Sequence, residues 1–241
     1  MEHKYKIIYD IKKDMWNWRG ALEDYLTDDW SLDNIQRYGS ERDKEITNQI
    51  LGLKKPEAEK ILRPYLLSLK NDPSSQLNTF IKIAEKDFRD KYVDACRALE
   101  RITKHPMISN EFTFYVTTFP RMTVNFDQRI IFMYDLTEGV WGMPIDGFLH
   151  EALHFQFYYY WRLDKKSPVY KLSEDEFYYL KESLTVILDE ELKPIITLPD
   201  CSYPSMKPFR DILHDHWREH HDFDKLVDFG LGGLGNYLVI N

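Results

Sequence analysis

The sequence predicts an α+β protein, mostly helical, with a helical N-terminal half and a small antiparallel sheet before a second set of helices. Three observations carry that prediction. Leu77, Phe80, Ile81, Ala84, Phe88, Tyr92, Ala95, Leu99 and Ile102 recur at helical spacing along one broad stripe. "EFTFYVTTF", "MTVNF" and "RIIFMY" then follow as β-rich runs, separated by Pro120 and by Asp127-Gln128. After Pro144 the helical pattern returns, opening with the apolar segment "GFLHEALHFQF".

Taken in order, "YKIIY" at 5–9 reads as a short strand, and 11–104 as almost all helix. Ser40 is placed to cap the helix of "ERDKEITNQI", because its hydroxyl can accept from an unpaired first-turn N–H. Pro56 suits the start of the next helix. Pro64 lies inside it, so a kink or break is expected there. The later helices are expected at about 145–163, 173–191, 206–221 and 222–229. No internal repeat, low-complexity tract or linker interrupts the chain. A single domain over 1–241 is the preferred organisation; the alternative is a division into a helical region, 1–105, and a metal-binding core, 106–241.

Composition narrows the function class. With 241 residues, 43% hydrophobic and 30% charged, the chain can bury a sizeable core as a soluble globular protein. Forty acidic against 32 basic residues, a net charge of −8, argue against a nucleic-acid partner. No apolar run is long enough for a membrane span, and "MEHKYKIIYDIKKDMWNW" has no signal-peptide core, so a cytoplasmic location is expected. Cys96 and Cys201 are too few and too far apart for a disulfide framework or a cysteine-rich zinc site.

Chemistry concentrates in "GFLHEALHFQF". His150 and His154 are four residues apart, one helical turn, so both imidazoles can reach one cation at Zn–N distances of about 2.0–2.1 Å. Glu151 lies one step round the helix, suited to act on a water and poorly placed as a third ligand. Burying two histidines and a glutamate among Phe148, Leu149, Ala152, Leu153 and Phe155 without partners would cost several kcal/mol as an order of magnitude. A metal removes that objection; a pair of satisfied core histidines is the structural alternative. The H-E-x-x-H pattern and its uncharged flanks resemble the zincin metallopeptidases, with Gln156 departing from their usual hydrophobic residue. That resemblance implies a sheet before the motif helix, its edge strand lining a substrate cleft. Phe157 and Tyr160 stand at the Gly and His places of the metzincin pattern, which is thereby excluded.

The third ligand is sought on the next helix, "SEDEFYYLKESLTVILDEEL". If the two helices form an antiparallel hairpin across "DKKSPVYKL", a metal near residue 152 lies about 16 Å before the turn, at 1.5 Å per residue. The same level on the returning helix falls near 182–184, which selects Glu182 over Glu176 and Asp189. Glu182 also lies opposite the apolar face of Phe177, Leu180, Leu184 and Leu188; an ordinary surface glutamate is the alternative. The full pattern is similar to the gluzincin, thermolysin-like group. The resemblance implies one Zn2+ per chain held by His150, His154 and Glu182. It also implies Glu151 as general base and hydrolysis of peptide bonds in a peptide or protein substrate by a metal-activated water. Val186 stands where thermolysin-like proteins carry an Asp that braces a zinc-bound His, so thermolysin itself is not the match; Thr185 or Asp189 could substitute.

Other constellations are weaker. His216, His220 and Tyr178, with Tyr179, are candidates to donate to a developing oxyanion. The bland alternative for the two histidines is a surface helix whose C-terminal dipole suits them. Two further functions compete with the hydrolase: a non-catalytic, metal-stabilised binding or scaffold protein, and a di-iron carboxylate oxidoreductase built on Glu151-x-x-His154 and Asp211-x-x-His214. "GLGGLG" at 230–235 satisfies a dinucleotide-binding spelling without the strand and following helix it needs, and reads as a tail or close-packed turn.

Overall fold

The computed structural model describes residues 3–24, 35–36, 39–120, 122–134, 143–197 and 204–237. It is α+β and mostly helical, and the chain divides into two compact units. One comprises Lys4–Asp87 and Glu111–Val140; the other comprises Met1–His3, Phe88–Asn110 and Trp141–Asn241. Among the described residues no helix is long and apolar enough to cross a membrane.

The first unit holds β1 (Lys4–Ile8), α1 (Ile11–Asp24), α2 (Glu41–Ile50), α3 (Lys55–Asn71) and the start of α4 (Gln76–Thr103). It continues with β2 (Glu111–Thr117), β3 (Thr123–Asn125) and β4 (Ile130–Tyr134). The strand order is β1-β2-β4-β3. The expected antiparallel sheet is a mixed one: β1 and β4 both run parallel to β2, and only β3 is antiparallel, to β4. The connections explain this. β3 and β4 are joined through a turn at 126–129, where the Asn125 side chain accepts from the Gln128 N–H. β1 reaches β2 only after α1–α4, a crossover long enough for parallel pairing. β4 lies between β2 and β3, and all five of its residues are buried, as an inner strand requires.

Ser40 caps α2 as its sequence suggests, in a reciprocal capping box with Asp43. α3 runs through Pro64 without a break. Its inner face, Ala58, Leu62, Tyr65 and Leu66, joins Met15, Trp18, Ile46, Ile50 and Phe119 in one apolar core, and that burial offsets the hydrogen bond proline cannot make. Above this core, α1 is tied to the end of β2 through Asp14. Its carboxylate accepts from the hydroxyls of Tyr9, Thr117 and Thr118 and from the Thr118 N–H, at 2.8–3.0 Å.

The second unit is helical. The end of α4 supplies Phe88 and Tyr92, whose rings pack on Phe148 of α5 (Pro144–Phe157), with centroids 5.8 and 5.1 Å away. α5 passes into a π-helical turn, Tyr158–Arg162, and then a short 3-10 turn, Pro168–Lys171. α6 (Glu174–Leu184) follows, capped by Ser173 with Glu176, and continues through a 3-10 turn, Thr185–Ile187, into α7 (Leu188–Glu191). α8 (Lys207–His220) and α9 (Phe223–Gly233) complete the unit. The glycine run expected as a tail or turn is instead mostly helix: Gly230 to Gly233 close α9, and Leu234–Asn236 form a 3-10 turn. A Cβ on Gly230 would stand 2.8 Å from Leu180 Cδ1, so close helix packing accounts for that glycine. Cys96 is buried in α4, and burial pushes its thiol up to about 12, far from reactive. Cys201 lies outside the described residues.

Candidate metal centre

α5 presents His150 and His154 one turn apart, and α6 brings Glu182 to them. The two Nε2 atoms are 2.9 Å apart, and Glu182 Oε2 lies 3.3 Å from His150 Nε2 and 3.4 Å from His154 Nε2. A tetrahedral ion 2.0–2.1 Å from its donors needs them about 3.3 Å apart; the two histidine–glutamate sides match that edge, and the 2.9 Å histidine–histidine side is about 0.4 Å shorter. Among the described residues this is the group of three His, Cys, Asp or Glu whose donor atoms converge, all within 4.8 Å.

The donor chemistry fits a cation. A 2.9 Å gap between two imidazole nitrogens accommodates at most one proton, so at least one Nε2 directs a lone pair inward. Burial above all, with the Lys181 charge adding, pushes His154 down to about 3, so its ring is neutral, the form that ligates metals. Its Nδ1 is buried without a hydrogen-bond partner. Burial alone would raise Glu182. The Lys181 ammonium, with the imidazoles beside it, outweighs that and holds the carboxyl well below the usual range. Since His154 is neutral, the lysine ammonium is the charge that keeps Glu182 ionised.

The surrounding contacts aim these groups. Arg162 donates to the carbonyls of Val169 and Leu172, at 2.9 and 2.7 Å, and to Glu174 Oε1 at 2.7 Å, lashing the connection to the start of α6. Phe157 stacks on Phe177 across the same junction, with centroids 5.5 Å apart. At Glu182 itself, the main-chain carbonyl accepts from Thr185 Oγ1 at 2.7 Å and from Arg210 Nη1 at 2.8 Å. Thr185, one of two residues considered as a brace for a histidine, thus braces the backbone of the glutamate. Gln156 has a role that its motif position does not suggest. Its fully buried amide accepts from the Ile108 N–H and donates to the Pro106 carbonyl, fastening α5 to the segment after α4.

Glu151 is buried on α5, beside His150 in sequence. The four candidate oxyanion donors are placed differently. His216 stacks flat on Phe229 of α9 at 4.1 Å, with His220 beside it at 4.3 Å; burial and His220 lower its pKa. Tyr178 lies one turn before Glu182 on α6, largely exposed, with the Lys181 ammonium 5.1 Å above its ring. Tyr179 packs on Phe209. The second half of the di-iron pattern is engaged elsewhere: Asp211 pairs with Lys207 at 2.7 Å and His214 with Glu190 at 2.9 Å.

Lys181 is not marked out by its place in the sequence. It is buried, 8% exposed, and its ammonium lies 2.5 Å from Glu182 Oε1. The only signal was a lysine where α6 turns inward, and neighbouring residues on a helix do not ordinarily meet. No family model, curated protein or solved structure matches the chain.

Proposed function

We propose that the chain is a zinc-dependent hydrolase acting on peptide bonds, with a zincin-like core of the gluzincin type. The observation that carries this reading is the convergence of His150 Nε2, His154 Nε2 and Glu182 Oε2, 2.9–3.4 Å from one another, within reach of one ion. These three residues would hold one zinc ion per chain. Bound zinc supplies Lewis acidity, which polarises a carbonyl and makes water acidic near pH 7. Glu151 accepts the proton of the attacking water on its carboxylate and delivers it to the departing amine nitrogen. His154 and Glu182 are themselves buried, and withdrawal from water strengthens charge interactions among them.

Metal analysis of the purified chain with peptide-library turnover, before and after chelation, tests the reading. Glu151→Gln is expected to keep one zinc and lose about 10²- to 10⁴-fold in turnover. Undiminished turnover in that variant removes Glu151 as the base, and a chain that takes up no zinc removes the whole reading. The burial of Glu151, His154 and Glu182 favours a second reading, a metal that only stabilises the fold. Tight zinc with no turnover on any peptide would select it.

A further inference from the structure

We propose that Lys181 is a positioning residue that holds Glu182 to one-oxygen ligation, keeping a coordination position of the metal open. The inference rests on the zinc reading above and deepens it. The two carboxylate oxygens of Glu182 are already divided: Oε1 lies 2.5 Å from Lys181 Nζ, while Oε2 faces both imidazoles at 3.3 and 3.4 Å. A carboxylate ligand can turn to offer a cation both oxygens. Here that rotation would strip a buried ammonium of its acceptor, and leaving a buried charge unpaired is strongly unfavourable.

The cost of the arrangement argues for a purpose beyond packing. Lys181 is buried between Leu180 and Glu182, where an aliphatic side chain would fill the space without a charge to desolvate. Lysine is instead curled round the helix onto its neighbour, with the rest of its charge over the Tyr178 ring. The backbone under Glu182 is pinned separately by Thr185 and Arg210, so the lysine is not needed to fix the main chain. Its remaining effect is on the carboxylate plane. Catalytic zinc keeps three protein ligands and one open place, and a second glutamate oxygen would fill that place.

Cobalt substitution reads this directly, because the visible absorption of Co2+ is intense when four-coordinate and weak when five- or six-coordinate. The probe is Co2+ alone, titrated into the full chain, Lys181→Met and Lys181→Arg. The expected result is one Co2+ per chain in all three, with loss of band intensity in Lys181→Met and the unmodified spectrum restored in Lys181→Arg. A Lys181→Met spectrum identical to that of the unmodified chain overturns the inference while leaving the metal reading intact. An unmodified chain that binds no Co2+ overturns the metal reading and this inference with it. If Lys181→Met does not fold, X-ray absorption on the unmodified zinc protein decides: a single Glu182 oxygen at the zinc supports the assignment, and two oxygens overturn it.

Discussion

Asp14 and Glu182 are both carboxylates withdrawn from water, one in each compact unit, and they are satisfied by opposite means. Asp14 is ringed by donors, three hydroxyls and a backbone N–H, so its hydrogen bonding closes within the protein. Glu182 faces two imidazoles that share at most one proton between their 2.9 Å-spaced nitrogens, and it draws its compensation from one lysine. The difference separates a structural carboxylate from a candidate ligand. Burial is common to both; convergent lone pairs without enough protons mark only the second.

The largest expected effect lies at Glu182. Glu182→Gln leaves the Lys181 ammonium buried without its carboxylate, and metal-free protein is expected to lose about 3–5 kcal/mol in chemical denaturation. Adding Lys181→Met should return most of that loss. A single variant as stable as the unmodified chain would mean that the pair carries no such tension.

Asp14 is tested by pH. Burial, opposed by its four hydrogen bonds, pushes this carboxyl up from 3.8 to about 6. Below 3.8 it holds its proton in both folded and unfolded chains. Between 3.8 and about 6 the folded chain keeps a proton that the unfolded chain releases, so its contribution to stability falls as pH rises and is lost above about 6. The fall amounts to about 3 kcal/mol. Asp14→Asn should remove it, leaving a variant-minus-unmodified difference that changes between pH 4 and 7; a constant difference would contradict the assignment.

The smallest effect is expected at Gln156, whose amide is neutral. Gln156→Leu orphans the Ile108 N–H and the Pro106 carbonyl and should cost about 1–3 kcal/mol. On the zinc reading it should also weaken metal uptake, because α5 loses its anchor to the preceding segment; unchanged stability and metal affinity would show that the anchor is dispensable.

Much of this was legible in the sequence wherever one helix or turn decides the matter. The Ser40 cap, the α4 stripe and the one-turn spacing of His150 and His154 follow from 3.6 residues per turn and from which backbone groups lack partners at a helix start. Helical rise and a hairpin are enough to put Glu182 level with the histidine pair, and in the structure its Oε2 lies beside both imidazoles. Strand direction was not legible. β2 and β4 are apolar runs whose composition is the same for either orientation, and they pair in parallel within a mixed sheet, with β3 intervening between them in the chain.

By itself, then, the sequence determined local periodicity, capping and the pairing of two imidazoles with a carboxylate one helix away, since each is set by geometry within about a turn or a hairpin. Only the tertiary structure decided the inward turn of Lys181, the division of Glu182's two oxygens, and the anchoring of Gln156 and Arg162. Those depend on which polar groups are sealed from water together, and desolvation is a property of the packed chain rather than of any segment within it.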